Sequence, residues 1–373
     1  MRIDGRPNLR SCMTAAREGL RCERQNAFPS ADVDILRAAD WMFPNGMDHH
    51  TLMTGNRVVN DLFLKVVRQM GGSGTLPDGP PAVIPEATEE ILDVCVVGAG
   101  PAGLASARAA AEATPGLRVA LFDEQDAPGG SLHAEPGGTV RGAQMAEAAA
   151  KAGVRIHTSA AAIAFYAEDD DGVLAIITPA GLVRVKARRY VYATGAYDQN
   201  LPFRDNDRPG IVSARACGRL AFRYGVRPGV RVIVVGRSPY ATTLAAGLRD
   251  ARVETEIIDE DRERIVRARG VSAVRGIEVS ASDSSDATTR VARADVVAVA
   301  ALPAPASELP RQHGAAVTMD VERGGFVVMV NAASFASTVA NVYACGDVTG
   351  YVGPGKALHQ GATAGAAAAK GLA

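Results

Sequence analysis

Aromatic side chains are scarce in this chain, 5% of its 373 residues with a single Trp, and alanine, glycine and valine take the space they leave. Small side chains let helices lie close against a sheet, so the composition points to an α/β protein. Cysteine is equally sparse. The five thiols stand at positions 12, 22, 95, 217 and 345. No two have C-x-x-C or C-x-x-x-x-C spacing, and an odd number cannot pair fully, so a disulfide framework is not expected and a reducing, cytoplasmic compartment fits best. Cys95 and Cys345 fall in apolar, strand-like runs and read as small buried residues. Charge of one sign is lacking too: 40 Lys and Arg stand against 41 Asp and Glu, which leaves no basic footprint for a nucleic acid. No run approaches the ~20 apolar residues of a membrane span. The opening Met1-Arg2-Ile3-Asp4-Gly5-Arg6 carries no apolar core of a signal peptide, and none is expected.

What is present divides at residues 71–89, GGSGTLPDGPPAVIPEATE, a Gly/Pro-rich connector. Before it, helices are predicted near 31–41 and 55–70. From Ile91 the pattern changes to strand, Gly-rich turn, Ala-rich helix and strand, the rhythm of a βαβ unit. A second such rhythm begins at Arg231. A third apolar strand, Val342-Tyr343-Ala344-Cys345, leads into a helix of small residues. The alternating runs 161–167 and 173–178, separated by Glu168-Asp169-Asp170-Asp171-Gly172, predict a hairpin with a solvated tip. The charged run from Asp259 to Arg269 reads as an exposed helix face.

The first βαβ unit carries the strongest chemical signal. Asp93-Val94-Cys95-Val96-Val97 runs into Gly98-Ala99-Gly100-Pro101-Ala102-Gly103 and then a helix. Gly98 permits the tight turn, Gly100 lets a pyrophosphate approach the backbone, and Gly103 lets helix and strand pack closely. Pro101 and Ala102 open that helix, whose free N–H groups and positive dipole end suit phosphates. The next strand, Arg118 to Phe122, ends at Asp123, twenty positions after Gly103, with Glu124 beside it. A carboxylate there accepts from both ribose hydroxyls of an adenosine. It repels a 2′-phosphate by roughly 4 kcal/mol at ~4 Å and an effective dielectric of ~20, which favours FAD or NAD over NADP. Gly129-Gly130-Ser131-Leu132 fits a turn beside the pyrophosphate, with Gly130 and Ser131 as contacts. Tyr190 to Ala196 is a strand running into the small turn Thr194-Gly195, where backbone can lie against a cofactor. Asn341 to Asp347 is another, ending in Gly346-Asp347, the arrangement with which two-domain flavin oxidoreductases return to the FAD domain. Ala357, Gly361 and Gly365, at i, i+4 and i+8, give the following helix a bare face. That face suits either a ring system or tight packing.

Around Arg231-Val232-Ile233-Val234-Val235 the second unit repeats the architecture with a damaged fingerprint, Gly236-Arg237-Ser238-Pro239-Tyr240-Ala241. Ser at the point of closest approach crowds a pyrophosphate, whereas Ala is accepted third. A structural remnant, a bound adenine nucleotide and working NAD(P)H exchange all remain open. Asp48-His49-His50 invites a metal, but neighbouring side chains of an extended segment point to opposite faces and no further ligand has suitable spacing, so no metal is expected. His359 reads as an ordinary solvated or core histidine. No nucleophile–base arrangement emerges, and no catalytic residue is assigned.

Together these segments resemble the α subunit of heterotetrameric sarcosine oxidase and its relatives, the FAD subunits of hydrogen cyanide synthase and of opine, hydroxyproline and proline dehydrogenases. The resemblance spans about residues 6–370. It is most specific in Arg6-Pro7-Asn8, Gln25-Asn26-Ala27-Phe28-Pro29-Ser30 and Met53-Thr54 with the helix through Arg68, and in the connector Thr194-Gly195-Ala196-Tyr197, Leu201-Pro202-Phe203 and Asp207-Arg208-Pro209-Gly210. The ferredoxin-like, folate-binding and Cys-rich iron–sulfur segments of various relatives are not found in these residues. The resemblance implies two Rossmann-type dinucleotide folds, the second inserted in the first, behind an N-terminal extension. The expected domains are 1–89 (extension, linker and subunit contacts), 90–213 and 326–373 (the two parts of the FAD/NAD-binding fold) and 214–325 (the NAD(P)-like fold). It further implies FAD, or NAD, in the first fold and an FMN at the interface with a β subunit that carries its own FAD and the amine site. A small ferredoxin-like subunit is a further expected partner. A self-contained NAD(P)H-dependent flavin reductase and a non-catalytic nucleotide-binding scaffold are the alternative readings.

Overall fold

In the computed structural model the chain separates into two compact units, residues 1–83 and 84–373. The structure describes residues 86–167, 172–282 and 289–372 without a break, residues 56–70, and residues 1–5, 9–11, 14, 16–24, 27, 29–30, 32–35 and 38. In the first unit β1 (Arg2–Ile3) pairs antiparallel with β2 (Cys22–Glu23). Helix α1 (Arg57–Met70) stands where one was expected over 55–70. Most of 31–41, all of Asp48-His49-His50, most of the front-end residues of the resemblance, the connector 71–85 and the acidic tip 168–171 lie outside the described residues.

The second unit begins with β3 (Thr88–Val97), α2 (Pro101–Ala113), β4 (Val119–Phe122), α3 (Gly138–Lys151) and β5 (Arg155–His157), followed by β6 (Ala161–Tyr166), β7 (Val173–Thr178) and β8 (Gly181–Tyr192). The strands assemble in the order β5-β4-β3-β8-β7-β6. β3, β4, β5 and β8 run parallel, and β6 and β7 form the expected hairpin, antiparallel to each other. The last six residues of β3 are all buried, as a parallel strand covered on both faces requires. Val94 and Val96 pack with alanines of α2 on one face. Cys95 and Val97 pack with Phe122, Leu174, Ile176 and Tyr192 on the other.

Beyond β8 the chain makes β9 (Ala196–Tyr197), β10 (Ile211–Ser213), α4 (Ala214–Gly218), β11 (Arg231–Val235), α5 (Pro239–Asp250) and β12 (Glu254–Ile258). It continues through β13 (Glu263–Gly270), β14 (Val274–Ala281), β15 (Thr289–Arg293) and β16 (Val296–Val299) to β17 (Ala304–Pro305). A second parallel sheet runs β10-β16-β11-β12, with β13-β14-β15 as an antiparallel layer beside it. The exit and return passages zip together, since β17 pairs antiparallel with β9. After α6 (Glu308–Gln312) and the hairpin of β18 (Val317–Asp320) and β19 (Gly325–Val328), β20 (Val342–Ala344) adds parallel to the end of β8. Helix α7 (Gly353–Ala369) follows. One nucleotide-type sheet is thus interrupted by another.

Two expectations are corrected. Of the charged run 259–269, residues 263–269 lie in β13 and 260–262 in the turn before it, rather than on a helix face, and its charges find partners across the sheet: Glu263 with Arg290 of β15 and Arg269 with Glu278 of β14. β10 belongs to the second sheet although it precedes residue 214, where the second fold was expected to start. The bare face of α7 also resolves. A Cβ on Gly361 would stand 2.0 Å from Ala102 O, and one on Gly365 2.0 Å from Ser106 O. Both glycines serve contact with α2, and Ala357 alone of the three reaches a cavity.

Gly361→Val should therefore force α7 off α2 and cost at least about 2 kcal/mol of stability, as overpacking does. Gly355→Ala, where a Cβ meets nothing within 4 Å, should be near neutral. Urea midpoints of the two variants check this.

Candidate functional site

A cavity of about 500 Å³ lies at the carboxyl ends of β3, β4, β8 and β20, where open α/β sheets hold their ligands. Its size falls within the ~300–1,000 Å³ of small-molecule sites. Every residue expected at a cofactor lines it except Gly103. Gly98, Gly100, Pro101 and Ala102 form one wall, Asp123 and Glu124 one end, Gly130 and Ser131 a turn above, and Thr194, Gly195, Gly346 and Asp347 the far side. Gly103 lies beneath. A Cβ there would stand 1.7 Å from Gly98 O, so its part is the close packing of helix and strand.

The start of α2 is bare. Gly100 is its N-cap and supplies no side-chain hydrogen bond, so the first amides of the helix have no side-chain acceptor among the described residues, and Gly100, Pro101 and Ala102 line the cavity. Such amides, with the helix dipole behind them, attract an anion. Gly130 comes so near that a Cβ on it would stand 2.8 Å from Gly100 Cα, and Gly129 N–H donates to Ala99 O at 2.8 Å. The two glycine turns brace one another.

Asp123 is 9% exposed. Ala99 N–H donates to its Oδ2 and Gln125 N–H to its Oδ1 at 2.7 Å. Burial pushes this carboxyl above the usual carboxylate range, against the pull of those two amides. Its first effect is to pin the glycine turn, while the exposed Glu124 stands beside it at the cavity. Thr194 donates its hydroxyl to Ala306 O at 2.7 Å, which ties the end of β8 to the returning chain. Asp347 accepts from Val352 N–H at 3.1 Å and from Arg215 Nη2 at 3.2 Å.

Sequence reasoning missed the residues that distant elements bring to this cavity: Arg215 and Arg219 from the second fold, and Leu309 and Gln312 from α6. A second cavity of about 560 Å³ opens at the second sheet and shares Asp198 and Arg215 with the first. Its glycine turn differs from the first. Ser238 caps α5, its Oγ accepting from Ala241 N–H at 3.2 Å, so that helix start already has an acceptor. Arg237 pairs with Asp261 at 2.8 Å, and Glu260 is raised by burial. Cys345 lines the first cavity with a thiol pushed up to about 12 by burial, which leaves it unreactive at neutral pH. Cys95, Cys217 and Cys345 are buried and free, and Cys22 is exposed. His359 is exposed. No group of His, Cys, Asp and Glu able to hold a metal is found among the described residues. No helix among them is long and apolar enough to cross a membrane.

Behind Gln312, His313 stacks on Phe165 with 3.4 Å between ring centroids, and its Nδ1 lies 2.8 Å from Tyr192 Oη. Burial holds its imidazole down at about 4. The unfolded chain therefore takes up a proton near pH 6.5 that the folded chain resists, so stability present above that pH is lost as pH falls through about 4. Allowing for partial exposure, the loss should be roughly 2 kcal/mol. His313→Gln should flatten the difference in urea midpoint between pH 7 and pH 4.

Residues 92–371 match the family model described as pyridine nucleotide-disulphide oxidoreductase. The chain is 30% identical over 311 residues to the alpha chain of sarcosine oxidase from Rhizobium meliloti (strain 1021), covering 73% of this chain and 31% of that one. It is 31% identical over 181 residues to one of the subunits of opine oxidase from Agrobacterium tumefaciens (strain Ach5), covering 44% and 36%. It thus spans about a third of the length of these curated relatives. Among solved structures, L-proline dehydrogenase from P. horikoshii superposes with a TM-score of 0.62 at 20% identity, covering 75% of this chain and 55% of that one. Thioredoxin reductase of T. acidophilum does so at 0.58 and 18%, covering 75% and 98%. At those identities the two likenesses speak for the fold, whose interrupted pair of nucleotide-type sheets is the one described above. With three quarters of its length under one family model, the chain belongs to the pyridine nucleotide-disulphide oxidoreductase family.

Proposed function

We propose that this chain is the dinucleotide-binding subunit of a hetero-oligomeric oxidoreductase, one that receives electrons from an amine or amino acid oxidised at a C–N bond on a partner subunit. The observation that carries it is the uncapped start of α2, where Gly100 has no side-chain bond and the bracing turn at Gly130 leaves the amides to an anion. The likeness to sarcosine oxidase and opine oxidase subunits supports the choice of reaction.

The first cavity would take FAD, with NAD as the alternative. The start of α2, at Gly100 and Ala102, would meet its diphosphate, Glu124 and Asp123 its adenosine ribose, and Gly346 with Asp347 the opposite half. A flavin so placed supplies two-electron carriage between the partner and an acceptor. The chain's own residues bind and orient it and keep water from its buried side. An FMN framed jointly with the partner belongs to the same reading.

A second reading, NAD(P)H-dependent flavin reduction within this chain alone, is favoured by the adjoining second cavity, which shares Asp198 and Arg215 with the first. The cap that Ser238 places on α5 opposes it.

Coexpression with the products of adjacent genes, followed by mass identification of every released cofactor, tests the leading reading. An adenine dinucleotide should accompany this chain, and in the complex the flavin should bleach anaerobically with amine. A pure chain that is yellow and bleached by NADH without any partner would establish the second reading instead. Asp123→Ala, which frees the glycine turn, should weaken dinucleotide retention by about a hundredfold, and Glu124→Gln by about tenfold, the scale of charged hydrogen bonds. Fluorescence titration of the stripped protein with FAD measures both.

A further inference from the structure

Helix α4 ends at Gly218 and passes into a single π-helical turn, Arg219–Arg223, a distortion that often marks functional positions. This turn packs against the segment Gly130–Ala134 above the first cavity. The approach is very close. A Cβ on Gly218 would stand 2.3 Å from Ala134 O, and Tyr240 Oη lies 3.1 Å from the same oxygen. The second fold is therefore seated on the turn that braces Gly100.

Three arginines project from this seat, and two are neutralised. Arg215 lies 3.6 Å from Asp198 and 3.2 Å from Asp347, and Arg223 pairs with Asp126 at 2.5 Å. Arg219 has no ion pair among the described residues. Its Nε is buried without a hydrogen-bond partner among the described residues, and Arg219 lines the first cavity together with Gly100, Gly130 and Ser131. A guanidinium half withdrawn from water and lacking a carboxylate is costly unless an anion completes it. Its planar fork matches phosphate oxygens two at a time.

We propose that Arg219, reaching over from the second fold, binds the diphosphate of the dinucleotide held by the first fold, opposite the amides of α2. This rests on the reading of the first cavity as a dinucleotide site. The second fold would then contribute to the first fold's cofactor whether or not it holds a nucleotide of its own, and retention of the dinucleotide would depend on the seam at Gly218 and Tyr240.

The test compares full-length wild type, Arg219→Gln, Arg219→Lys and Asp123→Ala in binding of FAD, ADP and adenosine, with thermal midpoints taken alongside. Arg219→Gln should weaken FAD and ADP by about ten- to a hundredfold while adenosine stays within about twofold, and Arg219→Lys should recover part of the loss. If Arg219→Gln binds FAD and ADP like wild type while Asp123→Ala loses them, the assignment of Arg219 is wrong and the cavity reading stands. An equal loss of adenosine would also overturn it, since that marks general distortion. If wild type binds none of the three, the cavity reading falls and the role of Arg219 with it.

Discussion

The close approach of backbone to backbone at the start of α2 governs the rest of the second unit. Gly98, at a φ of +103°, leaves no room for a side chain, since a Cβ would stand 2.3 Å from Ala193 O. Gly103 sits directly over Gly98 O. A helix held this near its strand cannot tilt away, which keeps its start, at Pro101 and Ala102, against the cavity. Asp123 then fixes the turn by accepting from Ala99 N–H. Its burial is a cost, seen in the upward displacement of its carboxyl, which those amides partly offset. The same closeness continues outward to Gly361 and Gly365 on α7. The scarcity of aromatic residues is thus a condition of the packing.

Charge around the cavity is distributed unevenly. The end formed by Asp123 and Glu124 is acidic and accepts hydrogen bonds. The uncapped start of α2 and Arg219, which line the same cavity, bring positive charge to it. Asp347 would oppose this, but Arg215 and the amide of Val352 neutralise it locally. A ligand that joins sugar hydroxyls to a diphosphate is complementary to that mixture of acceptors and positive charge, which is the physical content of the proposed cofactor. The isolated fingerprint of glycines carries much less of it.

Much of the cavity's lining was legible in the sequence because its determinants are local. Gly98, Gly100, Gly103 and Asp123 lie within one βαβ unit, where a glycine has meaning by its place in a turn and an acid by its place at a strand end. The hairpin 161–178 was legible for the same reason, through alternation. Arg215 and Arg219 were not. They stand more than a hundred residues from Gly100, and only the docking of the second fold, through Gly218 and Tyr240, brings them to the cavity. The charged run 259–269 was misread because pairing at helical spacing and pairing across strands draw on the same residues. The partnership of Arg290 with Glu256 and Glu263, two residues on different strands, cannot be seen by scanning along one segment. On α7, small residues were recognised as a bare face, but whether a ring or a helix covers it depends on how far away α2 lies.

The two nucleotide-type folds differ most tellingly at one position. Both place a strand, a glycine turn and a helix with proline at its start in the same order. Where the first has Gly100, without a side chain, the second has Ser238, whose hydroxyl oxygen accepts from the helix amide at Ala241. A serine cap stabilises a helix by about 1 kcal/mol, and it does so by satisfying an amide that would otherwise bind an anion. The second fold has a satisfied helix start at the point where the first keeps its amides open. A fold altered in this way can still act as a wall, and its arginines reach the other fold's cavity. With Arg219 as that reach, two folds of similar architecture contribute different groups to one site: the first supplies the bare amides, and the second supplies the cation that faces them.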